Sequence, residues 1–216
     1  MMRGYIFDLD GVIVDTAKYH FKAWQSLAKK VGVSFDEAQN EQLKGVSRVK
    51  SLEKILAWGN TTVSDDEFVS LMASKNEEYL EFIAEMDESE ILPNVTEILQ
   101  LLKSKGHPIA LGSASKNAKI ILERVNLLHM FDVLVDGNSV TTAKPDPEVF
   151  LKAAQGLGVK PDDCVVFEDS VAGVQAANTG GMISVGVGSP DVLSEADVVV
   201  KDFTELNEQF LENLRK

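Results

Sequence analysis

The chain has a single cysteine, Cys164, in 216 residues, so no internal disulfide can form. It sits in the apolar run CVVFED and reads as a small buried hydrophobe rather than a redox centre. No apolar run approaches the roughly 20 residues that a helix needs to cross a bilayer. The first such run is interrupted at once by Asp8 and Asp10, which argues against a secretory signal, and a reducing cytoplasm is the expected home. Positive charge is also scarce: 21 Lys and Arg face 34 Asp and Glu, a net charge of −13. With a sequence pI near 4.7, such a surface repels polyanions and argues against nucleic acid or anionic membrane as a partner. An anionic substrate would need a local cluster of Lys and Arg to overcome that field. Repeats, low-complexity tracts and long linkers are absent. The remaining composition, 44% hydrophobic and 25% charged, is that of a folded globular protein.

What is present changes in texture along the chain. The run YIFDLDG reads as a strand apolar on both faces, ending in two aspartates one residue apart. Residues two apart on a strand share a face, so Asp8 and Asp10 would repel each other unless something binds them. Residues 17–31 form an amphipathic helix with Trp24, Leu27, Ala28 and Val31 on one stripe and Gly32 as its stop. Helical character then continues to about Asp87 with no convincing strand. From Leu92 onward short apolar runs (HPIALGS, FDVLVDG, DCVVFED, MISVGVG, ADVVV) alternate with helical patterns. Pro93 is expected in the first turn of a helix carrying Val95, Ile98, Leu99 and Leu102, closed by Gly106. Alternation of this kind indicates a parallel sheet covered on both sides, an α/β core of Rossmann-like type. The all-helical stretch, residues 15–87, is expected to be an insertion into a core made of residues 1–14 and 88–216.

Ligands of open α/β sheets bind beyond the carboxyl ends of the strands. Those ends carry Asp8 and Asp10, then Ser113 to Asn117, then Lys144 in AKPDP, then Glu168 and Asp169. Each has a plainer reading alone: a solvated acidic turn, helix caps, a turn lysine, charges favouring a helix start. Together they suit a phosphoryl group and Mg²⁺, with carboxylates for the metal and hydroxyl, amide and ammonium groups for phosphate oxygens.

FDLDGV, the Ser113 loop, Lys144 and FEDS occur in the order of the motifs of the haloacid dehalogenase-like superfamily, which the chain resembles over essentially its whole length. HFKAW, NEQLKGVSR and ASKNEEY, with SASKN, are similar to the cap and phosphate-binding segments of that superfamily's β-phosphoglucomutase branch. The resemblance implies that Asp8 is the nucleophile and forms an aspartyl phosphate, and that Asp10 is the general acid and base. Asp10 is expected to be held protonated by the like charge of Asp8 and by partial burial. Asp8, the Asp10 backbone carbonyl and Asp169, with Glu168 adjacent or through water, would hold Mg²⁺. Ser113 and Lys144 would bind the transferring phosphoryl oxygens.

The resemblance further implies substrate contacts from His20, Trp24, Gly45, Val46, Ser47, Arg48, Ser51, Lys75, Ala114, Ser115, Lys116 and Asn117. Arg48 on the cap and Lys116 with Asn117 on the core would grip a second, non-reacting phosphate. His20 and Lys75 would couple cap closure to the placement of Asp10, although a lone His on a helix is more often a structural hydrogen-bonder and Trp24 could be cap core. The implied activity is a monomeric intramolecular phosphotransferase acting on a small hexose phosphate, interconverting β-D-glucose 1-phosphate and glucose 6-phosphate through a bisphosphate. A Mg²⁺-dependent sugar-phosphate phosphatase of the same superfamily is the alternative. A phosphorylatable receiver domain fits less well, because it would lack the helical insertion.

Overall fold

In the computed structural model, which describes residues 2–214, the apolar runs become strands whose alternate residues feed two covered faces. In β1 (Gly4–Phe7), Tyr5 and Phe7 enter one apolar cluster and Ile6 enters another. The helices α1 (Ala17–Lys30), α2 (Glu37–Glu41), α3 (Arg48–Trp58) and α4 (Asp65–Ala84) follow. Next come α5 (Val95–Ser104), β2 (Ile109–Gly112), α6 (Ala118–Arg124), β3 (Val133–Val135) and α7 (Glu148–Leu157). The chain ends with β4 (Cys164–Glu168), α8 (Val171–Thr179), β5 (Ile183–Val187), β6 (Val198–Val200) and α9 (Glu208–Asn213).

The six strands form one parallel sheet in the order β3-β2-β1-β4-β5-β6. Strand order reverses direction between β1 and β4, and the crevice at that switch point is where such sheets take ligands. Register then decides which groups meet. Phe7 pairs with Phe167, so Asp8 leaves β1 beside Glu168 at the end of β4. Phe7 also pairs with Leu111, so Ser113 leaves β2 on the other side. Below this rim Phe7 and Phe167 stack with ring centroids 4.8 Å apart, anchoring the two strands together. Cys164 is buried in the sheet, and burial raises its thiol to about 12, which leaves it inert.

The expected α1 ends one residue early, with Val31 as its C-cap and Gly32 at φ +72°. Pro93 does not lie in the first turn of α5. It precedes Asn94, which caps that helix in the left-handed conformation at φ +65°. No strand is assigned between α1 and α4 among the described residues. These helices share an apolar cluster of their own, built on Trp24, Leu27, Phe35, Leu52 and Ile55. The chain enters and leaves the block through adjacent segments: Leu92 N–H donates to Ile13 O at 3.0 Å, and Asp15 N–H to Glu90 O at 2.9 Å.

Candidate active site

A cavity of about 320 Å³ lies between the carboxyl ends of β1, β2 and β4 and the helical block. Its sheet side presents Asp8, Asp10, Ser113, Ala114, Ser115, Lys116, Asn117, Lys144 and Asp169. Its helical side presents His20, Trp24, Gly45, Val46, Ser47, Arg48, Ser51 and Lys75. Of the residues singled out from sequence, only Glu168 is not on the wall. It is fully buried behind Lys144.

The loops after the strands are shaped by local hydrogen bonds. Ser113 Oγ accepts from Ser115 N–H at 3.1 Å and Ser115 Oγ from Asn117 N–H at 3.2 Å, which curls this loop around the end of β2. Ser170 caps α8 by accepting from Gly173 N–H at 3.1 Å. Its own N–H donates to Glu168 Oε1 at 3.1 Å. Gly11, at φ +82°, allows the close approach of Asp169, whose carboxylate would collide with any side chain there. Gly45, at φ +69°, plays the same part across the cleft, bringing the helical block against Ser170.

Charge is concentrated at the end of β1. Lys144 Nζ donates to Asp8 Oδ1 at 2.6 Å and to Glu168 Oε2 at 2.9 Å, and both carboxylates hold its pKa above the ordinary range despite burial. One ammonium cannot compensate everything nearby. Burial first, then the charges of Glu168, Asp10 and Asp169, push the Asp8 carboxyl well up, with Lys144 opposing. Burial and Glu168 raise Asp169 to about 7, although Lys44 Nζ stands 3.5 Å from its Oδ2. Asp8, Glu168 and Asp169 each offer a carboxylate oxygen, and these atoms lie within 4.8 Å of one another. A crowded all-oxygen set, short of positive charge, fits a hard divalent cation.

Asp10 departs from expectation. Burial alone would raise its carboxyl, but hydrogen bonding and charge from His20, with the hydroxyl of Thr16, bring it below the ordinary value. His20 Nε2 lies 3.7 Å from Asp10 Oδ1. In this arrangement Asp10 is therefore the carboxyl pulled down and Asp8 the one pushed up. Behind His20, its Nδ1 meets Lys75 Nζ at 3.1 Å, and the lysine is boxed between Trp24 and Tyr79 with ring centroids 4.6 and 4.5 Å away. Burial lowers Lys75 to about 7. Trp24 thus belongs to the apolar cluster of the block and lines the cleft at once.

Three contributors were missed in the sequence. Lys44 crosses from the helical block to Asp169. Tyr79 stacks on His20 with ring centroids 4.3 Å apart, and its hydroxyl is buried. Asn76 accepts from both Arg48 and Asn117. Their only available signal was position: Lys44 adjoins GVSR, and Asn76 and Tyr79 share the ASKNEEY stretch with Lys75.

Comparison with known proteins agrees with this geometry. A family model described as haloacid dehalogenase-like hydrolase matches residues 2–181. The chain is 42% identical over 212 residues to a β-phosphoglucomutase of Bacillus subtilis (strain 168), spanning 97% of this chain and 94% of that protein. A phosphorylated carbohydrates phosphatase of Thermotoga maritima is 32% identical over 183 residues, with 84% and 82% covered. Among solved structures, a β-phosphoglucomutase from Clostridium difficile superposes with a TM-score of 0.95 at 42% identity, covering 98% of this chain and 96% of that one. With the family model spanning most of its length and the motif residues gathered in one cleft, the chain belongs to the haloacid dehalogenase-like hydrolase family.

Proposed function

We propose that the protein is a β-phosphoglucomutase, an intramolecular phosphotransferase that interconverts β-D-glucose 1-phosphate and glucose 6-phosphate. In this reading residues 15–87 are a cap over the core formed by residues 1–14 and 88–216. The observation that carries it is a set of unpaired cations in an acidic protein. Arg48 and Lys116 both line the cleft, yet neither makes an ion pair among the described residues. Burial lowers the half-buried Arg48 guanidinium's pKa, and its hydrogen bond goes to a neutral amide, Asn76. Unpaired cations facing a cleft whose phosphoryl-transfer centre already has Lys144 suit a substrate with a second phosphate. Similarity to β-phosphoglucomutases over nearly the whole chain supports the same choice.

Asp8 attacks the phosphorus of a bisphosphate and becomes the aspartyl phosphate, while the sugar oxygen leaves with a proton from Asp10. In the return step Asp10 takes the proton of a sugar hydroxyl as that oxygen attacks the phosphorus on Asp8. Thr16 and His20 beside Asp10 favour its ionised form, which suits the base half; the acid half requires it to carry a proton toward the leaving oxygen. Ser113 and Lys144 hold the transferring oxygens, and the Lys144 ammonium turns from Asp8 to them as the carboxylate becomes an acyl phosphate. Mg²⁺ held by Asp8, Asp169 and the Asp10 carbonyl, with Glu168 behind, would neutralise phosphoryl charge when bound. The cap excludes water so that sugar rather than water takes the phosphoryl group. Arg48, Lys116 and Asn117 hold the other phosphate.

Arg48→Ala tests the choice between mutase and phosphatase, because it leaves Asp8, Asp10, Ser113, Lys144 and Asp169 in place. Loss of one charged hydrogen-bonding partner costs roughly 1.5–3 kcal/mol, or about one to two powers of ten. The ratio of mutase to phosphatase turnover on one purified variant falls by that order in the proposed reading. An unchanged ratio contradicts it.

A further inference from the structure

Two donors assigned above to the non-reacting phosphate, Arg48 and Asn117, come from different parts of the fold, α3 and the loop before α6. Both converge on one atom. Arg48 Nη2 lies 2.7 Å from Asn76 Oδ1, and Asn117 Nδ2 lies 3.0 Å from the same oxygen. The assignment of these amide atoms is forced. A guanidinium has only donors, so the Asn76 atom facing it must be the carbonyl oxygen. An amide that faces a carbonyl oxygen must present its NH₂, so Asn117 cannot turn over without setting two acceptors against each other. Asn76 itself does not line the cleft.

We propose that Asn76 is a positioning residue for phosphate recognition: its side-chain oxygen sets the Arg48 fork and locks the Asn117 amide with its remaining N–H available to an anion. This rests on the reading of Arg48 and Asn117 as the non-reacting phosphate's partners. Asparagine meets that need because its side chain has a neutral acceptor. A carboxylate would hold the same two donors but neutralise the guanidinium, and an apolar side chain would leave Asn117 free to turn its oxygen toward the phosphate. The contact also joins the two sides of the cleft, since Asn76 belongs to α4 of the helical block and Asn117 to the sheet side. One helix therefore serves both ends of the chemistry. Lys75 turns to His20 near Asp10, and the next residue turns to the phosphate donors.

The test compares kcat/KM for β-D-glucose 1-phosphate with that for hydrolysis of acetyl phosphate, which needs Asp8 but offers no second phosphate. Both are measured in the wild type, Asn76→Ala, Arg48→Ala and the double variant. Asn76 lies inside α4, where alanine is the best helix former, so the variant keeps its helix. Asn76→Ala should lower the hexose-to-acetyl-phosphate ratio about tenfold, mainly through KM. Asn76→Gln, which keeps the acceptor on a longer arm, should recover part of that loss. In the Arg48→Ala background the same substitution should cost no more than about twofold, because much of what it positions is already gone. A ratio that does not move in Asn76→Ala, or a full tenfold loss that persists without Arg48, overturns the proposal. Failure of Arg48→Ala itself to change the ratio would instead contradict the mutase reading.

Discussion

Lys75 is an expensive residue for this fold to keep, and the cost can be measured. It is 3% exposed, and its ammonium nitrogen faces His20 Nδ1 and two aromatic rings rather than a carboxylate. Burial, reinforced by the charge of Arg48, lowers its pKa from 10.5 to about 7. The unfolded chain therefore holds a proton that the folded chain has lost between those two values, and stability rises with pH across that window. Below pH of about 7 both states are protonated and the penalty is carried in full. The drop corresponds to roughly 5 kcal/mol, of which attraction to the Trp24 and Tyr79 rings offsets about 1–2 kcal/mol. Lys75→Met keeps the length of the side chain and removes the charge. We expect the variant to be more stable than the parent by roughly 3 kcal/mol at pH 6. That advantage should shrink by about 1.4 kcal/mol for each pH unit above 7. Urea unfolding of both proteins from pH 6 to pH 9 gives the difference directly. A methionine variant less stable at pH 6, or parallel pH dependence of the two proteins, refutes the reasoning. A confirmed gain would mean that the lysine is retained for what it does to His20 and Asp10, at the expense of stability.

Lys144→Met should destabilise the protein by about 3–5 kcal/mol, because Asp8 and Glu168 lose their shared buried ammonium. Added Mg²⁺ should restore part of that loss, and urea unfolding with and without the ion measures both effects. Gly45→Ala should cost about 1 kcal/mol from its left-handed backbone alone, and its methyl group would press on Ser170. The KM for glucose 6-phosphate should therefore rise several-fold; an unchanged KM would show that the cap does not need this approach.

The parallel sheet and the helical insertion were legible because both signals are local: doubly apolar runs for strands and 3.6-residue stripes for helices. Asp8, Asp10, Ser113, Lys144, Glu168 and Asp169 could be singled out as candidates, because each lies at or beyond the carboxyl end of a strand and the fold places those ends together. The strand order was not legible, since nothing in Phe7 or Phe167 announces that they pair. Pro93 lies two residues before the first turn where it was expected, because Asn94 adopts a left-handed cap that pattern alone does not reveal. The downward pull on the Asp10 carboxyl was missed for a related reason. Repulsion from Asp8 could be read from a spacing of two residues, but the stronger opposing contacts from His20 and Thr16 depend on how α1 meets the sheet. Contacts such as Asn76 with Asn117, 41 residues apart, exist only once the block has folded over the core.

The central claim is that the phosphoryl group on Asp8 goes to sugar. The decisive measurement follows β-D-glucose 1-phosphate by ³¹P NMR with Mg²⁺ and a catalytic amount of β-glucose 1,6-bisphosphate. Conversion to glucose 6-phosphate should greatly exceed release of inorganic phosphate, the bisphosphate should persist at its catalytic level, and the α anomer should not be consumed. Stoichiometric inorganic phosphate without glucose 6-phosphate would make the protein a phosphatase and contradict the account.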